Sequence, residues 1–231
     1  MPINRHNQAL ITKLQALLTN NNAEVFYKSL CALSHSERRT ASHLLSNVVL
    51  PEASDEAFRS TFLMLSRTEP KAYLVTCLKA TCIRYENHKF NLYDPLLAEY
   101  AQGNPSSIDC NKVLTHLLPI AQTPEEATYL LNLFAPSGVR LRMAHLLRCT
   151  SLPAAYALFT EAQFAESDPQ LLQEVCVALH RRGDTVGKRL ASLLQAYFSL
   201  PPLSLAQPLL QPYQLSRLEG GYEAFLKIIK E

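Results

Sequence analysis

Thr123-Pro124-Glu125-Glu126 is enough to begin a helix. The Thr123 hydroxyl and the Glu126 carboxylate stand at capping-box spacing, where each satisfies a backbone N–H that the first turn leaves without a partner. Pro124 falls at the first helical position, where its missing N–H costs nothing. An amphipathic run and a short break follow, and this cycle recurs about a dozen times along the chain. Toward the C-terminus the starts fall at Ser137, Ser151, Asp168 before Pro169, and Asp184, roughly 14 to 17 residues apart, so helix pairs recur about every 28 to 33 residues. Toward the N-terminus, Asp94-Pro95 repeats the cap-proline start, and Ser34 with Glu37 repeats the capping box. Gly103 and Gly183 follow apolar runs and suit left-handed C-terminal caps.

Within the runs the leucines keep helical spacing: Leu10, Leu14, Leu17 and Leu18; Leu114, Leu117 and Leu118; Leu141, Leu146 and Leu147; Leu190, Leu193 and Leu194 with Tyr197. Each stripe needs a neighbouring helix to cover it. Leu and Ala dominate the apolar set, Gly numbers only six, and β-branched residues form no alternating runs. The expectation is an all-α fold of about a dozen helices. Antiparallel helix pairs would stack as an α-α superhelix, an irregular solenoid, or gather as a helical bundle. No true sequence repeat supports the solenoid, and the tetratricopeptide pattern is absent from a chain without Trp.

The helical array is expected over 1–200, with a point of subdivision near 103–107. Pro201, Pro202, Pro208 and Pro212 then make 201–221 irregular, because each removes an amide donor and restricts the residue before it. In 222–231, Tyr222, Phe225, Leu226 and Ile229 stand at i, i+3, i+4 and i+7, an amphipathic helix. Two readings follow: the helix folds back to cover the end of the array, or it docks into a partner's groove.

With 48% hydrophobic and 18% charged residues, the chain lies far from the composition of disordered segments. Its net charge of +2 gives no bulk attraction to nucleic acid or membrane. Six cysteines, scattered one or two to a helix in a chain of 231 residues, read as reduced core thiols rather than a disulfide framework. No apolar stretch approaches the roughly 18 residues of a membrane span. The N-terminus shows no secretory h-region, so a cytoplasmic protein is expected, with signal-less export left open.

The enzyme signatures of helical proteins are missing. No histidine has Glu three positions before it, and neither His-Glu-x-x-His nor His-Asp occurs. Cys31 and His35 are four apart, as on one helix face, and Cys77 and Cys82 lie near His88, but the tight Cys pairs of structural zinc are absent. Gly183 to Lys188 fails as a phosphate loop: its glycines are one residue too close, and Arg189 stands where Ser or Thr would hold magnesium. Arg182-Gly183-Asp184 is explained by a C-cap and the next N-cap. No Gly-x-Ser-x-Gly is present. No catalytic, cofactor-binding or metal-binding residue is therefore assigned, and no cofactor is expected.

Two features remain for binding. Arg140, Arg142 and Arg148, then Arg181 and Arg182 beside His180, then Lys188 and Arg189, would form a basic ridge if the helices alternate. Tyr85, Phe90, Tyr93 and Tyr100 flank the irregular connection near Asn87 to Asn91, a candidate recognition surface. The first functional expectation is a non-enzymatic interaction or scaffold protein that binds another protein through a groove or ridge. A helical nucleic-acid binder using the Arg140–Arg189 cations, and an enzyme with an unrecognised helical site, are the alternatives.

Overall fold

Ser34 opens a long helical rod in the first half of the molecule. In the computed structural model, which describes residues 5–19, 22–68, 72–136, 145–160, 169–201 and 220–230, the Ser34 hydroxyl accepts from the Glu37 N–H and the Glu37 carboxylate from the Ser34 N–H. The described residues form an all-α fold, with no strand among them and about a dozen helices. The chain divides into two compact units, Met1–Leu117 and Leu118–Glu231.

The first unit contains α1 (Arg5–Thr19), α2 (Ala23–Cys31), α3 (His35–Leu44), α4 (Leu50–Glu52), α5 (Asp55–Arg67), α6 (Ala72–Glu86), α7 (Pro95–Gln102) and α8 (Ser107–Leu117). A π turn, Leu45–Val49, joins α3 to α4 in one continuous rod, with the Leu50 N–H donating to the Leu45 carbonyl. Pro51 supplies a cause: its ring has no N–H and would press on the carbonyl one α-turn back, so the wider turn relieves the clash. α6 packs against α3, the π turn, α4, α5 and α8, while α1 reaches α2, α3 and α5. Contacts between elements so far apart in sequence make this unit a bundle around α6 rather than a row in which each pair meets only its neighbours. Its core is Leu14, Phe26, Leu50, Phe58, Phe62 and Leu74, among others, all almost wholly buried.

Arg84 ends the rod. Its side chain is 1% exposed, and its Nη1 donates to the carbonyls of Leu50 (3.2 Å), Pro51 (3.3 Å) and Ala53 (2.8 Å). Nη2 pairs with Asp55, and the guanidinium lies 4.5 Å from the centroid of the Phe58 ring. A buried arginine thus does for these carbonyls what a C-capping glycine does elsewhere.

The second unit begins with a 3-10 turn, Leu118–Ile120, and continues through α9 (Pro124–Phe134), helical residues 145–148, α10 (Leu152–Thr160), α11 (Pro169–Arg181), α12 (Thr185–Tyr197) and α13 (Tyr222–Lys230). Thr123 and Glu126 form the expected capping box, and Asp94, Ser151 and Asp184 accept from backbone N–H groups as helix starts. The starts expected at Ser137 and Asp168 lie outside the described residues, as does most of 201–221. α9 packs on α10, and α11 pairs with α12 across a short turn in which Gly183 is left-handed at φ +82°. Gly103 corrects the expectation: its φ is −70°, and the left-handed residue is Asn104 at φ +53°. Asparagine tolerates that region because its short polar side chain bonds locally.

Candidate functional site

Two walls of the first unit enclose a groove of about 950 Å³. One wall is α3 with the π turn, giving His35, Arg38, Arg39, Ser42, His43, Ser46 and Asn47. The other is α6, giving Tyr73, Val75, Thr76 and Lys79. No carboxylate is among the described lining residues, whereas His35, Arg38, Arg39, His43 and Lys79 are all exposed along it.

Local structure explains the arrangement. Only Ala41 and Leu44 of α3 are buried, so the rest of the helix faces away from the core and carries polar side chains at one-turn intervals. Ser42 Oγ and Thr76 Oγ1, 2.7 Å apart, hydrogen-bond across the floor. Arg38 Nε donates to the Leu33 carbonyl at 2.7 Å, anchoring that side chain at the mouth. Asn47 donates to the His43 carbonyl at 2.8 Å and to Ser46 Oγ at 2.9 Å. Burial pushes the pKa of the Tyr73 phenol up, with the Arg38 charge opposing. The walls are tied twice, by Ser42–Thr76 across the floor and by Arg84 beyond the π turn, so the groove is pre-formed. The π turn, a geometry frequent at functional sites, supplies Ser46 and Asn47.

The basic ridge expected in the second half is distributed differently. Arg140 and Arg142 lie outside the described residues. Arg148 and Arg181 are exposed, and Lys188 and Arg189 are half-buried. Arg182 serves the fold instead, because its Nη1 donates to the carbonyls of Leu147 and Cys149, both at 3.1 Å, while Nε and Nη2 hold Asp184. Arg181 and Arg182 line a second groove, of about 920 Å³, on the outer face of α11, where Glu174 stands among them.

The C-terminal residues Tyr222, Phe225, Leu226 and Ile229 lie on α13, which packs on α10 and α12. Phe225 and Ile229 are buried, and Tyr156 meets both Tyr222 and Phe225 at ring separations of 5.4 Å. Tyr222 and Leu226 are half-buried.

Of the aromatics near 87–91, Tyr93 is exposed, but Phe90 packs on Phe58 at 5.6 Å and on Tyr85 at 5.2 Å, and Tyr100 is buried against Phe62. This connection is stapled down by Phe90, which leaves Tyr93 as its exposed ring. Cys31 and His35 do not share a helix face either: Cys31 ends α2 and His35 begins α3, with the Ser34 cap between. All six thiols are free, and burial pushes Cys82 and Cys149 up to about 11 and Cys176 up to about 12. No group of three or more His, Cys, Asp or Glu suited to a metal gathers among the described residues. No helix among them is long and apolar enough to cross a membrane.

No known protein family, no curated protein and no solved structure matches this chain. The α3–α6 groove was not singled out in the sequence. The signal was there, in His35, Arg39, Ser42, His43 and Ser46 at helical spacing, but it reads as an ordinary solvated face until α6 supplies the opposite wall.

Proposed function

We infer that the protein is a non-enzymatic interaction module that receives part of another protein in the α3–α6 groove. The observation that carries this reading is a pre-formed concave surface whose charged lining is of one sign on a chain of net charge only +2. His35 and His43 stand on the exposed side of α3 with no carboxylate among the described lining residues to orient either ring, and the Ser42 and Ser46 hydroxyls bond to Thr76 and to the His43 carbonyl. This supports docking over turnover. The nucleic-acid reading loses support in the second unit, where Arg182 is committed to carbonyls and Asp184.

Photo-crosslinking in the producing cells tests the reading. Arg39→benzoylphenylalanine at the groove is expected to capture one protein that Lys13→benzoylphenylalanine, at an exposed position of α1, does not, and Lys79→Glu is expected to abolish that capture. Equal capture at both positions would refute docking in the groove. A nuclease-sensitive product would favour nucleic acid instead.

A further inference from the structure

Resting on the docking reading, we propose that the groove's occupant is an acidic amphipathic helix of the partner protein, its carboxylates spaced one helical turn apart. His35, Arg38 with Arg39, and His43 follow α3 at three- to four-residue intervals, which the helical rise makes about 5–6 Å. Glutamates or aspartates at i, i+4 and i+8 of a helix lying along α3 have the same rise and meet the Arg38 and Arg39 guanidinium groups, with an imidazole on either side, in register. Lys79 meets the same helix from the opposite wall.

The dimensions agree. A helix with its side chains is about 10 Å across, so a groove of about 950 Å³ is filled by roughly two turns. Half-buried Val75 and exposed Ala72 give α6 a small apolar strip for the non-acidic side of such a helix. Single-stranded nucleic acid fits less well, because stacking needs an exposed ring and Tyr73, the aromatic in this lining, is buried.

The test is fluorescence anisotropy with the full chain and an alanine-based helical peptide of about 16 residues, long enough to hold its helix. The peptide carries glutamates at i, i+4 and i+8, and a second peptide carries the same residues scrambled. At low salt the facially acidic peptide is expected to bind about tenfold more tightly than the scrambled one, and R39E/K79E to lose about tenfold. The charge-matched control K13E/K28E, outside the groove, is expected to bind as the parent does, with circular dichroism confirming that both variants fold. Equal binding of the scrambled peptide overturns the helical register. Tighter binding of a thymidine dodecamer that displaces the peptide overturns a protein occupant. Failure of the peptide, when Arg39→benzoylphenylalanine still captures a protein, overturns the acidic helix and leaves docking standing.

Discussion

Arg84 buries a full positive charge in the first unit and still fits, because its donors reach three carbonyls and Asp55. Burial pulls its pKa below the usual arginine range, and the Asp55 charge and hydrogen bond pull it back. Its Nε finds no acceptor. Arg84→Ala strands three carbonyls at the end of the rod and is expected to cost about 3–5 kcal/mol by urea unfolding. Asp55→Asn is expected to cost no more than about 1 kcal/mol, because the Asp55 side chain is 70% exposed and its charge is screened by water. His145 poses the opposite case: it is 6% exposed, its Nε2 has no hydrogen-bond partner, and burial, helped by Arg148, lowers its pKa to about 4. A histidine depressed in the folded state adds stability above its unfolded pKa of about 6.5, and that stability drains away as pH falls toward 4. The native chain is expected to lose about 2–3 kcal/mol between pH 7 and pH 4.5 from this residue, and His145→Leu to lose correspondingly less over the same range.

Elements are joined in both units by the same device, an arginine near the end of one helix that caps the carbonyls of a helix 31 to 35 residues back. Arg84 and Arg182 each bridge one helix pair, close to the spacing of about 28 to 33 residues read from the caps. α11 and α12 have a second constraint. A Cβ at Gly187, in the first turn of α12, would lie 2.6 Å from the Leu179 carbonyl of α11, so only glycine permits this approach. Gly187→Ala is expected to destabilise by about 1–3 kcal/mol, through a backbone shift that thermal melts would register. α13 is held by its aromatic face: Phe225 is wholly buried, with Tyr156 and Phe159 at 5.4 and 6.4 Å.

Across the molecule, each unit holds its own core and its own arginine clamp. Hydrogen exchange read by mass spectrometry is therefore expected to show Arg84→Ala accelerating amides within residues 1–117, and Gly187→Ala within 118–231. Exchange that spreads evenly over the chain for either variant would contradict two separate cores. The groove belongs to the first unit and depends on the same clamp, so Arg84→Ala should also weaken whatever binds between α3 and α6.

Helices and their starts were legible in the sequence because caps are local: Ser34 with Glu37 and Thr123 with Glu126 act within one turn, and their geometry matches the reading. The leucine stripes marked buried faces for the same reason, since helical periodicity needs no knowledge of the partner. Non-local facts were beyond it. Which of Gly103 and Asn104 turns left-handed, which rings pin the 87–91 connection, and that Arg84 and Arg182 serve as caps all depend on what lies opposite in space. The candidate site is the plainest instance. The cations of α3 stand in the sequence as one polar face, but a groove has two walls, and only packing around α6 brought the second one, with Thr76 and Lys79, to meet it.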